Sequence, residues 1–202
     1  MIYSLYFLYS IYMLGIRWHS RAGHGAITSA NALCEIIAEH TDLYSQSFPD
    51  FGAEKKGAPV VVYNRFDDKH IAETHHIRSP NLVLLLDTSL INPNELSYEH
   101  ILDGLKDDGH LILNTKQDRT QFSDKFSGSV WHLDATTLSK EAIGRNIPNV
   151  PMLGALIKVS ELIDIEEFAT YLHTFLSQVF PEKIVTGNIT ALKAGYKNVR
   201  KV

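Results

Sequence analysis

Short apolar runs alternate with longer stretches of helical spacing along most of the chain. The first run, residues 14–18, ends in a loop that carries Gly23 and Gly25. Beyond this loop, apolar residues return with the spacing of one helix face, at Ile27, Ala30, Cys34 and Ile37. The pattern predicts a strand, a glycine turn and a helix.

Later runs of β-branched, aliphatic or aromatic residues predict further strands. They are residues 59–66, 82–86, 111–113 and 130–133. Residues 82–86, between Asn81 and Asp87, are all apolar. This suits a central strand covered on both faces, as in a parallel sheet. Residues 98–105 are predicted to form the crossover helix that leads to the next strand.

From Thr136 onward the apolar spacing is helical. Asp164 and Glu167 have the spacing of a capping box, and the apolar stripe over residues 168–179 then ends at a proline. Residues 184–196 predict a last helix. Since the pattern contains no repeat and no second hydrophobic core, we expect one α/β domain of three layers, with a mainly parallel sheet, helices on both faces and a C-terminal helical segment.

Composition and charge narrow the possible functions. The 202 residues, 45% hydrophobic and 21% charged, suit one globular domain. A formal charge of −4 gives no long-range attraction for nucleic acid or anionic lipid, so neither a nucleic acid nor a membrane is an expected partner. The single Cys34 excludes an internal disulfide and cannot hold an iron–sulfur cluster by itself, which fits a reducing cytoplasm. Its apolar neighbours predict that Cys34 is a buried small side chain.

Residues 1–12 are apolar and rich in tyrosine, and they carry no charge. A signal peptide needs a basic segment and a small-residue cleavage site, and a membrane-spanning helix needs about 20 apolar residues. The segment has neither property. We therefore interpret residues 1–12 as a mis-assigned N-terminal extension, with translation beginning at Met13, and residues 13–202 as the domain.

Two segments carry residues that suit anion binding. Residues 20–25 form a glycine loop between a strand and a helix, where backbone amides lack intrahelical partners. The loop contains only one G-x-G and no Walker lysine, so phosphate binding and a purely structural turn both fit it. Residues 48–59 contain two prolines, two glycines and the adjacent Lys55 and Lys56, which predicts a long connecting loop of the kind that is often functional.

Asp87 and Asn114 each follow a predicted parallel strand. Open α/β sheets bind ligands beyond the carboxyl ends of their strands, so both are candidate site residues of second rank, although each could equally cap the next segment. His70, His75 and His76 lie close together in sequence, but no carboxylate or cysteine stands at ligand spacing. We expect no metal site there.

The glycine loop resembles a motif of a known family. Residues 17–26 read R-W-H-S-R-A-G-H-G-A, and the gamma subunits of 2-oxoacid:ferredoxin oxidoreductases characteristically carry R-W-H-G-R-G-G-Q-G-A; seven of the ten positions match. Ser20 and Ala22 replace glycines, which would be costly if φ were positive there, so the loop is expected to be narrower or shifted. His24 replaces glutamine and adds a titratable side chain.

Further blocks resemble the same family over nearly the whole chain. Residues 48–59 are similar to its F-P-x-F-G-x-E-R-R-G-A-P loop, and residues 149–156 to its N-x-x-M-L-G-A-L helix. Residues 188–189 and 195–196 match the usual close of the family. The order and spacing of these blocks identify the chain as a member, most similar to the subunits that serve pyruvate.

This resemblance implies an oxidoreductase complex that converts pyruvate and coenzyme A to acetyl-CoA and CO₂ and passes electrons to ferredoxin or flavodoxin. It implies alpha, beta and delta subunits as partners, with thiamine diphosphate, Mg²⁺ and four-iron–four-sulfur clusters on those other subunits and no cofactor bound by this chain alone. The chain is expected to be inactive by itself, to have no catalytic residue and to contribute to coenzyme A binding. The implied contacts are Lys55, Lys56, Arg21, Gly23, His24 and Gly25.

Three alternatives remain open. The same type of complex could act on another 2-oxoacid, namely a branched-chain 2-oxoacid, 2-oxoglutarate or oxalate. The chain could instead be a stand-alone nucleotide-binding α/β module that uses the glycine loop as a phosphate turn. It could also be a purely structural interface subunit.

Overall fold

A computed structural model describes residues 13–51, 57–91, 98–116 and 126–202. The interpretation of residues 1–12 therefore lies outside the described residues. Within them the strands are β1 (Leu14–Arg21), β2 (Tyr44–Phe51), β3 (Pro59–Asp67), β4 (Leu82–Leu85), β5 (His110–Asn114), β6 (Ser129–Leu133) and β7 (Arg200–Lys201). The helices are α1 (Ala26–His40), α2 (Tyr98–Leu102), α3 (Ala135–Ile143), α4 (Asn149–Ser160), α5 (Ile165–Ser177) and α6 (Glu182–Asn198).

These strands form one sheet in the order β2-β3-β1-β4-β5-β6-β7. β1, β4, β5 and β6 pair in parallel, whereas β3 runs antiparallel to both β1 and β2, and β7 runs antiparallel to β6. The predicted strands and the mainly parallel α/β sheet with helices on both faces are confirmed. The antiparallel hairpin of β2 and β3 was not predicted.

The prediction of one long loop over residues 48–59 is wrong at both ends, because residues 48–51 belong to β2 and β3 begins at Pro59. Phe48 pairs with Tyr63 across the two strands, with ring centroids 5.0 Å apart. Such cross-strand aromatic contacts stabilise a sheet. Pro49 is tolerated because β2 is the outer strand of this pairing, where a missing backbone N–H breaks no internal ladder.

Strand β1 is the central element of the fold, because its side chains alternate between the two faces of the sheet. On the front face, the Trp18 indole Nε1 donates to Asn64 Oδ1 at 2.8 Å, and Asn64 Nδ2 donates to the Ala30 carbonyl of α1 at 3.0 Å. On the back face, Arg17 Nη2 donates to the carbonyl oxygens of Ile101 and Asp103 at 2.9 and 2.7 Å. One strand thus holds a helix on each face.

The front layer contains the larger core, packed by α1, α3, α4, α5 and α6, while α2 covers a smaller apolar cluster on the back face. Residues Asn149 to Ile157 of α4 are all buried, so this helix is enclosed by its neighbours. It crosses α6 at two glycines. A Cβ on Gly195 would lie 1.9 Å from the Pro151 carbonyl oxygen, and one on Gly154 would lie 2.0 Å from that of Leu192.

Local details confirm some predictions and correct others. Asp164 caps α5 by accepting from the amides of Glu166 and Glu167 at 2.8 and 3.1 Å. Helix α2 ends at Leu102, before the predicted residue 105. Cys34, predicted to be buried, is only partly buried. Burial raises the pKa of its thiol, and the hydrogen bond with Ser45 acts in the opposite direction.

No helix in the described ranges combines the length and apolar character needed to cross a membrane.

Gly195→Ala is predicted to destabilise the fold, because the new methyl group would overlap the α4 backbone, which cannot move without disturbing the front core. We expect a loss of roughly 3 kcal/mol in the free energy of unfolding, measured by urea denaturation. Lys197→Ala, on the exposed side of the same helix, is the control and should change it by less than about 0.5 kcal/mol. Equal stability of the two variants would contradict the close helix crossing.

Candidate functional site

A cleft lies at the carboxyl ends of the parallel strands. After β1 the chain turns to α1 on the front face, whereas α2, which follows β4, lies on the back face. Adjacent strands whose connections leave in opposite directions open a crevice, and this is where open α/β sheets bind ligands. The cleft has a volume of about 430 Å³. It is lined by His24, Leu86, Asp87, Thr88, Asn114, Thr115, Lys116, Asp134, Thr136, Asn146 and Pro148.

The ion pair of Arg21 and Asp87 closes one side of this crevice. Arg21 Nε lies 3.1 Å from Asp87 Oδ2, so the last residue of β1 is joined to the second residue after β4. The guanidinium also donates to Ser89 Oγ and, at 3.0 Å, to the Gly57 carbonyl oxygen. Arg21 is therefore held in a fixed orientation beside the cleft, and two residues predicted separately prove to be partners.

Asp87 stays ionised because several donors and cations surround it. Burial acts to raise its pKa, but hydrogen bonds from the side chain and backbone of Ser89, together with the charges of His24 and Arg21, lower the pKa overall. The Ser89 amide donates to Asp87 Oδ1 at 2.9 Å. Asp87 thus caps the short 3-10 turn Thr88–Leu90 while its other oxygen faces the cations.

The glycine loop brings His24 to the cleft. Gly23 and Gly25 adopt φ values of +98° and +77°, which only glycine reaches without strain, and α1 begins at the next residue. The amide Nδ2 of Asn149 donates to the Gly25 carbonyl oxygen at 3.2 Å and to Ser29 Oγ at 2.9 Å. This bond fixes the loop against α4, so the two most distinctive family-like blocks of the sequence meet here.

The two lost glycines do not strain the loop. Glu161 is the non-glycine residue with positive φ in the described ranges, so neither Ser20 nor Ala22 needs a conformation that its Cβ opposes. Ser20 lies inside β1 and is fully buried. The backbone cost considered for these two side chains therefore does not arise.

Asn114 lines the cleft but uses its amide to brace the fold. Its Nδ2 donates to the Leu86 carbonyl oxygen at 2.8 Å and to Thr136 Oγ1 at 2.9 Å, and its Oδ1 accepts from the Thr136 amide at 3.3 Å. It thereby ties the end of β4 to the start of α3. The amide of Asn114 therefore contacts the first turn of α3, which lies beyond β6 in the chain.

Sequence reasoning missed a second ion pair at the opposite side of the cleft. Lys116 Nζ lies 3.4 Å from Asp134 Oδ2, and Asp134 caps α3 by accepting from the Thr137 amide at 3.0 Å. Lys116 follows β5 and Asp134 follows β6, as Asp87 follows β4. Position within two residues of the end of a parallel strand is the signal that could have identified both residues.

The remaining predicted site residues, Lys55 and Lys56, lie outside the described residues. The next residue in the chain, Gly57, accepts from Arg21 Nη1. The described parts of the chain bring together no group of three or more His, Cys, Asp or Glu side chains that could hold a metal ion. Fixed cations and backbone amides beside a polar cleft suit the binding of an anionic ligand.

The start of the motif, Arg17, Trp18 and His19, takes no part in the cleft. Arg17 and Trp18 hold α2 and α1 to the sheet, as described for β1. His19 is 2% exposed on the back face, and burial, with Arg17 and His100 nearby, lowers its pKa to about 3. It is therefore a neutral packing residue.

The chain is similar in sequence and in structure to known proteins. The family described as pyruvate ferredoxin/flavodoxin oxidoreductase matches residues 15–198. Pyruvate synthase subunit PorC of Thermotoga maritima is 36% identical over 187 residues, which cover 92% of this chain and 94% of the relative. The common subunit gamma of the pyruvate/ketoisovalerate oxidoreductases of Pyrococcus furiosus is 35% identical over 188 residues, covering 92% and 96%. The crystal structure of the Thermotoga maritima pyruvate oxidoreductase subunit PORC superposes with a TM-score of 0.80 at 34% identity, covering 94% of this chain and 98% of that one.

Asp87→Asn is predicted to lower stability by roughly 1–2 kcal/mol at pH 7, because Arg21 loses a charged partner. The folded-state pKa of Asp87 is lowered, so its stabilising effect is present above the unfolded pKa and disappears as the pH falls through the folded value. Urea unfolding from pH 7 down to about pH 3 should show the difference between wild type and variant shrinking with acid. The exposed Asp68→Asn should match wild type throughout, and a difference for Asp87→Asn that does not depend on pH would contradict the ion pair.

Proposed function

Since the chain belongs to the pyruvate ferredoxin/flavodoxin oxidoreductase family, we propose that it is the gamma-type subunit of a cytoplasmic, thiamine-dependent complex that acts on pyruvate. The complex converts pyruvate and coenzyme A to acetyl-CoA and CO₂, and two electrons pass to ferredoxin or flavodoxin. The observation that carries this proposal is the similarity to a pyruvate synthase subunit over 92% of the chain, at an identity of 36%.

Within this complex, the chain's role is assembly and coenzyme A contact. Thiamine diphosphate supplies the carbon chemistry, and with its Mg²⁺ and the iron–sulfur clusters it belongs to the alpha, beta and delta subunits. The single Cys34 of this chain cannot ligate a cluster, and its described residues offer no metal-binding group. What its residues do offer is an oriented guanidinium and a polar cleft.

The proposed coenzyme A contacts lie at the β1 side of the cleft, whose other walls follow β4, β5 and β6. Arg21 presents a guanidinium whose orientation is already fixed by Asp87 and Gly57, so binding a phosphate costs little side-chain entropy. His24 lines the cleft, and we propose that the backbone of its neighbours Gly23 and Gly25 also contacts the ligand. Lys55 and Lys56 stand just before Gly57 in the chain, and we propose that they contact the coenzyme A phosphates as point charges.

A second candidate substrate is a branched-chain 2-oxoacid. The relative in Pyrococcus furiosus is named a common subunit of pyruvate and ketoisovalerate oxidoreductases, so that gamma chain serves two substrates. If the same holds for this chain, substrate choice is made by other subunits. Assaying the purified complex with pyruvate, ketoisovalerate, 2-oxoglutarate and oxalate separates these possibilities, and we expect pyruvate to give the highest kcat/KM.

The isolated chain is predicted to show no pyruvate-dependent reduction of a dye, because thiamine and clusters are held elsewhere. Adding the other subunits should restore the reaction. Turnover by the chain alone would contradict the subunit assignment. A stable monomer that binds adenine nucleotides without coenzyme A specificity would favour the stand-alone nucleotide-binding module instead.

Replacing Lys55 and Lys56 together by alanine is predicted to raise the KM for coenzyme A roughly tenfold in the assembled complex, with kcat unchanged at saturation. Arg21→Ala should act in the same direction. Lys197→Ala with Lys201→Ala, at the exposed C-terminal end, is the matched control and should leave the KM unchanged. If the Lys55 and Lys56 double variant and Arg21→Ala also leave the KM for coenzyme A unchanged, the result would favour the purely structural interface subunit.

A further inference from the structure

The charged groups of the cleft form two balanced pairs. Asp87 faces Arg21, and Asp134 faces Lys116, with nitrogen–oxygen distances of 3.1 and 3.4 Å. The pKa of Asp134, like that of Asp87, is lowered overall: burial acts to raise it, but hydrogen bonds from Thr137 and the contact with Lys116 outweigh that effect. Both carboxylates therefore stay ionised near neutral pH, and the two pairs together contribute no net charge.

His24 is the titratable cleft residue outside these two pairs. Its side chain is 31% exposed, it lines the cleft, and its Nδ1 lies 3.9 Å from Asp87 Oδ2, the same oxygen that accepts from Arg21. That nitrogen is buried and makes no hydrogen bond. If Nδ1 carries a proton, the Asp87 carboxylate is the nearby acceptor for it. The exposed edge of the imidazole faces the cleft.

Protonation of His24 changes the net charge of its immediate surroundings from zero to positive. With a neutral imidazole, the group of Arg21, Asp87 and His24 is uncharged; with an imidazolium, two cations share one carboxylate and the group is positive. Histidine is the side chain that ordinarily changes charge between about pH 5 and 8, whereas the carboxylates, the guanidinium and the lysine ammonium of this cleft do not. Asp87 is the charged group within 4 Å of His24 among the described residues; Arg21 shares that carboxylate, and Lys116 and Asp134 line the same cleft.

We propose that His24 is a proton-dependent phosphate ligand, so that this chain binds the phosphates of coenzyme A more tightly at acid than at alkaline pH. The inference rests on the proposed function and deepens it, since it makes affinity at the coenzyme A site respond to acidity. A single additional charge a few ångströms from a phosphate at a partly exposed site corresponds to roughly a five- to tenfold change in affinity.

The test measures the dissociation constant of dephospho-coenzyme A for the assembled complex by calorimetry, from about pH 5.5 to 8.5. The pyrophosphate of this probe keeps its charge over the range, so the ligand itself contributes no titration. Wild type should bind five- to tenfold more tightly at the acid end. His24→Gln, which keeps a hydrogen-bond donor and acceptor but no titratable charge, should lose that pH dependence. His173→Gln is the matched control, because His173 also lies near a carboxylate, Glu182 at 3.3 Å, but lines no part of the cleft.

The outcomes separate this inference from the function on which it rests. If Arg21→Ala weakens binding and His24→Gln keeps the wild-type pH dependence, the site is correct and the proton-linked role of His24 is wrong. If His24→Gln weakens binding equally at every pH, His24 contacts the ligand without a proton and the inference is again overturned. If neither variant changes binding at any pH, the coenzyme A site itself is misplaced.

Discussion

The fold depends on β1, a strand buried between two sheet neighbours and two helical layers. Its odd and even side chains make polar bonds on opposite faces: Trp18 reaches α1 through Asn64, and Arg17 donates to the carbonyl oxygen of Ile101 in α2 and to that of Asp103 just after it. Buried hydrogen bonds of this kind are costly to break because each leaves a polar group without a partner. They fix where both helices sit relative to the sheet, and so fix the two sides of the crevice at the carboxyl end of β1.

The candidate site begins at the last residue of the same strand. Arg21, the last residue of β1, is joined to Asp87 after β4, and the loop that follows is fastened to α4 by Asn149. Each contact links segments that are distant in sequence, so the site is rigid although it is made of loops. Its preorganisation is consistent with a subunit that binds and positions a substrate for chemistry performed elsewhere.

Much of the fold could be predicted from local pattern, because continuous apolar runs and helical spacing reflect burial directly. The strands at residues 82–86 and 111–113 and the cap at Asp164 are examples. The β2 strand was not predicted, since proline and polar residues dominate it and its stability comes from pairing with β3 and from the contact between Phe48 and Tyr63. Arg21 and Asp87 were each predicted as candidate site residues, but not as partners. Their pairing is non-local, and no spacing in the sequence reveals it. The pairing of Lys116 with Asp134 is equally non-local, although the position of each residue just after a parallel strand is visible in the sequence.

We propose that the cleft beyond the carboxyl ends of the parallel strands, beside the ion pair of Arg21 and Asp87, is where this chain contacts coenzyme A in the assembled complex. A cryo-electron microscopy structure of the purified complex with coenzyme A bound is the decisive measurement. We expect coenzyme A phosphates within hydrogen-bonding distance of Arg21 and His24. Coenzyme A held entirely by other subunits, with this crevice facing solvent or a protein interface, would contradict it.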